Sequence, residues 1–262
     1  MSVLVSDAGP FAAALRRFRH ARRMSQLDLA LECGISARHL SFLESGRAQP
    51  SREMVLTLAA GLLLPRGAAN GLMQAAGFAA AYPASPLGSA DLAPLRGVLA
   101  ELMARHAPNP ALLCDRHWTI LDASPSARAL LTAMDLGDGE MNVIRMLAES
   151  PAAPALVENL PEVLADMAGR IGLEALEAGA DPELDALVKT LAAACARHPL
   201  PAPARTRRPL VPVVLKAGGR RLSFLTAVAH FGTSEDVTVR DLRLELLFPA
   251  DDETRAAMTA FG

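Results

Sequence analysis

Apolar residues recur every three or four positions through the first 80 residues of this 262-residue chain and every second position near its end, a pattern that predicts helices first and a sheet later. Phe11, Leu15 and Phe18 form one stripe of a helix over residues 11–23, with Pro10 admissible in its first turn. Arg16, Arg19 and Arg23 fall on the opposite side, toward phosphate or solvent. Leu29, Ala30 and Cys33 mark a shorter helix capped by Ser25, and Gly34 ends it as a residue free to take positive φ. Ser36 caps the next helix, whose Leu40 and Leu43 return to the same core while Ser36, Ala37, Arg38, Ser41 and Phe42 stay outside. Two short helices broken by a glycine make a helix-turn-helix, and Ala30 is small enough for the second to cross the first closely. Met54, Val55, Leu58 and Leu62 give a helix over 51–63 stopped by Pro65, and a last short one runs through Met73 to Gly77.

Residues 82–89 are dense in turn formers and have little to bury, which sets domains at 1–82 and 91–262 with a linker over 83–90. The second half opens with a helix over 91–106, followed by two short strands, 111–115 and 118–122, around the turn at Arg116 and His117. Ser124 and Pro125 open a helix striped by Ala127, Leu130, Leu131 and Met134, and a polar turn occupies 137–140. Further helices are expected over 141–147, 152–179 and 181–198; in the middle one Leu160, Leu164, Met167 and Ile171 keep the 3.6-residue period. Beyond a proline-rich loop at 199–209 the period changes to two. Val211, Val213 and Leu215, then Leu222, Phe224, Thr226 and Val228, then Leu242, Leu244, Leu246 and Phe248 read as three strands. Gly218-Gly219 joins the first two tightly, and residues 232–236 turn into the third. The expected fold is an all-α helix-turn-helix domain followed by an α+β domain, an antiparallel sheet of about five strands with helices on one face, in PAS-like order.

Charge divides the chain at the same place. Residues 1–80 hold nine Arg, no Lys and five acidic residues, a net of +4, and the remainder carries −6, which together give the −2 of the whole chain. The basic part is the one with the helix pair, so a polyanion partner is implied for that part only. Cys33, Cys114 and Cys195 are widely spaced, lack metal-ligand spacing and suit a reduced cytosol. No apolar run approaches membrane-spanning length, and the N-terminus lacks a basic segment followed by an apolar core, so a cytoplasmic protein without leader is expected.

On such a helix pair Gln26, Ser36 and Arg47 are the expected phosphate contacts, with Gln26 at a helix N-terminus where amide donors and dipole converge. Arg38 has the fork geometry for guanine O6 and N7, Ala37 and Phe42 are candidates for thymine methyl contact or, for Phe42, helix packing, and His39 and Ser41 complete the reading surface. Asp115, His117 and Asp122 lie close in sequence, but as turn residues they point to hydrogen bonding rather than catalysis. No nucleophile elbow, zinc helix, phosphate loop or dinucleotide fingerprint occurs, so no enzyme is expected.

From Phe11 to Phe78 the chain resembles the bacterial XRE/Cro-type DNA-binding domain, through the helix pair, Glu44-Ser-Gly-Arg47 and Pro50-Ser51. The segments Ala37-Arg-His-Leu-Ser-Phe-Leu-Glu44, Pro50-Ser-Arg-Glu-Met-Val-Leu56, 106–118, 233–238 and 244–251 extend the resemblance to the MmyB-like regulators over nearly the whole chain. That resemblance implies a transcriptional regulator whose PAS-like domain holds a small, mostly apolar molecule, with a fatty acid the best candidate. Ala123-Ser-Pro125 departs from the Asn-Ala-Ala usual there, which weakens transfer of polar contacts to this spot. Trp118, Met141, Met146, Leu160, Leu164, Phe224 and Phe231 are candidates for the walls of a cavity on the scale of roughly 300–1,000 Å³, or for plain core, and Arg145 or His230 for its polar end. The expectation is a homodimer on an approximately palindromic operator, needing no cofactor beyond a possible bound fatty acid. The rivals are a constitutive DNA-binding protein whose second domain only dimerises and an enzyme fused to a DNA-binding domain.

Overall fold

The computed structural model describes residues 9–134, 141–178, 181–200, 210–231 and 234–259. The polar turn at 137–140, most of the loop at 199–209, the start of the 232–236 turn and the first eight residues lie outside these. The chain divides into two compact units, Met1–Pro83 with Gly172–Asp185, and Ala84–Ile171 with Ala186–Gly262.

In the first unit, five helices, α1 (Pro10–Ala21), α2 (Gln26–Glu32), α3 (Ala37–Glu44), α4 (Arg52–Gly61) and α5 (Arg66–Ala75), surround one core. Leu15, Leu29, Leu40, Leu43, Leu58 and Leu72 are fully buried there. Each of the middle three helices begins at a serine whose hydroxyl accepts from the third residue on: Ser25 from Asp28, Ser36 from His39 and Ser51 from Met54. Gly34 takes φ of +64° between α2 and α3, a conformation that is cheap only without a Cβ.

One arginine departs from expectation. Arg19 is buried, not turned to phosphate: its Nε donates to Glu44 Oε1 at 2.6 Å, its Nη2 to Glu44 Oε2 at 2.8 Å, and its Nη1 to the Met24 carbonyl. Residue 19 sits one position after Phe18 on the inward-turning face, and Glu44 at the end of α3 supplies the charge that makes burial tolerable. Arg22 donates to the carbonyls of Leu62 and Leu63, satisfying the end of α4.

In the second unit, α6 (Ala93–Arg105) precedes β1 (Ala111–Cys114) and β2 (Ile120–Ala123). Then come α7 (Pro125–Ala133), α8 (Val143–Ala148), α9 (Ala153–Leu156), α10 (Leu160–Ala178) and α11 (Pro182–Arg197), of which residues 172–178 of α10 and 182–185 of α11 belong to the first unit. β3 (Val213–Ala217), β4 (Arg220–His230), α12 (Val237–Asp241), β5 (Arg243–Pro249) and α13 (Asp252–Thr259) finish the chain. The five strands form one antiparallel sheet in the order β2-β1-β5-β4-β3, the PAS-like arrangement, with β5 at its centre. Gly218 and Gly219 both take positive φ in the β3–β4 turn.

Three details differ from the pattern-based expectation. The helix over 152–179 is interrupted: Val157 becomes extended and bridges Leu215, while Asn159 accepts from the Val214 N–H and donates to the Pro212 carbonyl. These bonds occupy the outer edge of β3, which would otherwise present open backbone groups. A C-terminal helix, α13, had no expectation at all; its Thr254 hydroxyl accepts from the Ser223 N–H at 2.8 Å and is wholly buried.

The sheet is also covered on both faces rather than one. Leu113 and Leu244 lie opposite each other and pack with Leu99 and Met103 of α6, whereas the alternating partners Leu112 and Glu245 point the other way.

Candidate nucleic-acid interface and ligand cavity

The expected reading surface lies along the outer side of α3. Arg38 is exposed, and its guanidinium carbon stands 5.4 Å from the centroid of the Phe42 ring, one turn on. Stacking on Phe42 limits the rotamers of the arginine, so fewer remain to be lost in a further contact. Ser41 and His39 are partly exposed beside this pair, whereas Ala37 packs against the helical core with only part of its surface free. Ser36 spends its acceptor on the α3 cap and keeps its O–H for an outside acceptor. Arg47 is exposed in the loop after α3.

Gln26 is more engaged than its expected phosphate role requires. Its side-chain amide donates to Glu44 Oε2 at 2.7 Å, leaving one amide hydrogen for another acceptor. Glu44 therefore joins three helices, through Arg19 of α1, Gln26 of α2 and its own α3. Burial alone would raise its carboxyl pKa, but hydrogen bonds from Arg19 and Gln26, with the Arg19 charge, outweigh that and hold it below the ordinary value. This network fixes the angle at which α3 projects Arg38.

In the second unit a cavity of about 140 Å³ lies between the sheet and α7, α8, α9 and α10. Its walls are overwhelmingly apolar, with Leu112, Leu130, Met134, Met146, Val163 and Met167 among them. That volume is below the expected range and resembles apolar cavities of roughly 150 Å³ that accept a benzene ring. The polar lining comes from Ser150, Asp166, Arg170, Thr226 and Glu245.

Of the residues expected at the ligand, Met146 alone is on the wall. Trp118, Phe224, Leu160 and Leu164 are buried in packed core beside it. On α10 the cavity-facing stripe is Val163, Asp166, Met167 and Arg170, at i, i+3, i+4 and i+7, so Leu160 and Leu164 belong to the neighbouring stripe. Met141 accepts the Ile120 N–H through its carbonyl and prolongs the edge of β2. Arg145 and His230 do not form the polar end. Arg145 is exposed, 3.8 Å from Glu149 on the same helix, and His230 is exposed at the end of β4 opposite Arg243. Phe231 packs with the α6 cluster on the far face of the sheet.

Arg170 and Glu245 carried no signal in the sequence: Asp166 and Arg170 at i, i+4 resemble a solvated pair, and Glu245 between two leucines resembles the wet side of a strand. The aspartate and histidine of the β1–β2 turn are structural; Asp115 accepts from the backbone N–H groups of His117 and Thr119.

A capped helix pair exposing arginine from its second helix, in one chain with a PAS-like sheet that borders an apolar cavity, defines a transcriptional regulator with a DNA-binding and a ligand-binding domain. Residues 10–70 match the helix-turn-helix domain family, and residues 95–260 match the MmyB-like transcription regulator ligand binding domain. Relatives named as uncharacterized HTH-type transcriptional regulators occur in Mycobacterium bovis and Mycobacterium tuberculosis. Each is 31% identical over 206 residues, covering 72% of this chain and 78% of the relative. The chain belongs to the MmyB-like family of transcription regulators.

Proposed function

We propose that α3 binds operator DNA in the major groove and that a small apolar molecule in the cavity, best a fatty acid, alters that binding. The observation that carries this is the coexistence of an exposed Arg38–Phe42 surface on a capped helix with a cavity walled by Leu, Met and Val. Arg38 reads a guanine edge, with Phe42, Ser41, His39 and Ala37 beside it, while Arg47, Ser36 and the remaining Gln26 donor hold phosphates. One such module contacts too little DNA for strong specificity, so two copies occupy half-sites about one helical turn apart. The regulator acts in the cytoplasm without catalysis, and no helix among the described residues is long and apolar enough to cross a membrane.

The cavity volume sets the ligand's reach. About six carbons fit inside, by comparison with benzene-sized cavities, and the rest of a longer chain extends through the cavity's open side or makes the α7–α8 cover yield. Each further CH₂ buried contributes about 0.8 kcal/mol until that opening costs more. The ligand can move operator affinity only by its differential affinity for two states of the protein, typically about 1–3 kcal/mol.

The test begins with the delipidated protein and an operator selected from random-sequence DNA. Fatty acids of graded length are added back, and melting temperature and operator affinity are measured together. A melting temperature indifferent to chain length removes the acyl pocket. Unchanged operator affinity despite ligand binding favours the rival, a constitutive DNA-binding protein whose second domain serves dimerisation.

A further inference from the structure

Three ionisable residues line the cavity, Asp166, Arg170 and Glu245, and its apolar walls do not explain them. Arg170 lines the cavity from α10, and its Nη1 is buried with no hydrogen-bond partner. A buried unpaired donor on a charged group is costly, so its persistence needs a reason. Its other nitrogen, Nη2, reaches Asp166 Oδ2 at 3.5 Å, an i, i+4 pair whose side chains remain 30% and 45% exposed. Such a pair is weak and easily exchanged.

The guanidinium is also held in place. Its carbon lies 5.4 Å from the centroid of the Trp118 ring, and Arg243 stacks on the same ring at 5.8 Å. Trp118 is fully buried and has φ of +65°, a conformation rare for a bulky residue and retained only where its surroundings impose it. A strained tryptophan thus orients the arginine at the cavity wall.

Glu245 enters the same cavity from the central strand, on the face opposite to Leu244. It is 7% exposed. Burial pushes its carboxyl above the ordinary range, against the pull of the Arg170 charge. In the protonated form that burial favours, the carboxyl is an O–H donor, so helix and sheet can each present a donor here.

We propose that Arg170 and Glu245 form a head-group site for a monocarboxylate amphiphile, one carboxylate oxygen accepting from Arg170 Nη1 and the other sharing a proton with the Glu245 carboxyl, with the tail along the apolar wall. A carboxylate brings the second oxygen and the negative charge that a single hydroxyl lacks. The incoming carboxylate takes the place of Asp166 as the arginine's counter-charge, so the ligand brings one negative charge to a site already prepared for it. This inference rests on the proposal of an apolar ligand and adds the chemistry of its head.

The experiment compares decanoic acid, 1-decanol and methyl decanoate on the delipidated full-length protein by calorimetry. The emission of Trp118, the chain's one tryptophan, serves as a second readout beside Arg170. Wild-type protein should bind the acid at least tenfold more tightly than the alcohol or the ester, with an emission change from the acid. Arg170→Met should erase that preference while retaining alcohol binding, and Arg170→Lys should keep part of it. Glu245→Gln, which retains a donor, should weaken the acid less than Glu245→Leu.

Equal binding of acid and alcohol by the wild type overturns the head-group site and leaves the apolar-ligand proposal standing. The head-group site is overturned equally if Arg170→Met or, should that variant not fold, Arg170→Lys keeps the full acid preference. Failure of all three probes to bind overturns both proposals together.

Discussion

The two units treat buried charge in opposite ways. In the helical unit Arg19, Glu44 and Gln26 consume one another's hydrogen-bonding capacity, and buried Asn70 accepts from the backbone of Ala81 and Tyr82 while donating to the Tyr82 carbonyl. In the sheet unit Arg170 keeps an unpartnered buried nitrogen and Glu245 sits nearly covered at an apolar cavity. A satisfied network selects one geometry because every alternative leaves a group unpaired. An unsatisfied one with space beside it leaves hydrogen-bonding capacity that the proposed ligand would use. The first arrangement suits a helix that must present Arg38 at a fixed angle, the second a domain that responds.

The largest expected effect breaks the satisfied side. Glu44→Leu leaves Arg19 buried without its partner and should destabilise the helical unit by about 3–5 kcal/mol in denaturant unfolding, whereas replacing Arg19 and Glu44 together by apolar residues should cost much less. Next comes packing. Leu58→Ala, in the fully buried helical core, should cost about 2–5 kcal/mol, and Met146→Ala, half-buried at the cavity wall, should fall below that range because the wall already lacks neighbours on one side. An equal loss at both positions would erase the distinction.

At the DNA surface, Arg38→Ala should lose about 1–3 kcal/mol of discrimination at one base pair, while Arg47→Ala should weaken all sequences alike and flatten the salt dependence. Equal, sequence-independent losses from both would remove Arg38 from the reading role. Smallest is the exposed Glu101–Arg105 pair at 2.7 Å, where Glu101→Ala should change stability by no more than about 0.5 kcal/mol.

Acidity sharpens the contrast through opposite signs. Glu44 has a lowered pKa in the folded state, so its contribution is complete above the unfolded value of about 4.3 and is lost as pH falls through the folded one. Glu245 has a raised pKa, so its folded environment favours the protonated form, and stability is lost as pH climbs from about 4.3 through the raised value. Hydrogen exchange resolved by segment should show α1–α3 loosening on acidification, and β5 loosening as pH rises, with the second effect absent in Glu245→Gln.

Much of this architecture was legible from the residues. The helix pair follows from Ser25, Gly34 and Ser36 with Leu29, Leu40 and Leu43, because capping and 3.6-residue periodicity act within a few residues of the chain. The strands of the second unit follow from alternation, and their sequence, two strands, several helices and a three-strand meander, is what reads as PAS-like order. Those signals are local or shared by a family, and they survive without coordinates.

What tertiary structure alone decided is which face of each element meets which neighbour. Arg19 reads as a surface arginine until α3 brings Glu44 to it from 25 residues away. Leu160 and Leu164 read as the inward stripe of α10, yet the cavity lies on the adjoining stripe, because a helix with apolar residues on more than one side has no preferred face until the sheet is placed. Glu245 reads as solvated until α6 and the other helices cover both faces of the sheet, and a carboxylate one strand position from a leucine then becomes buried at a cavity. Burial and pairing are set by groups distant in sequence, and local periodicity carries no record of them.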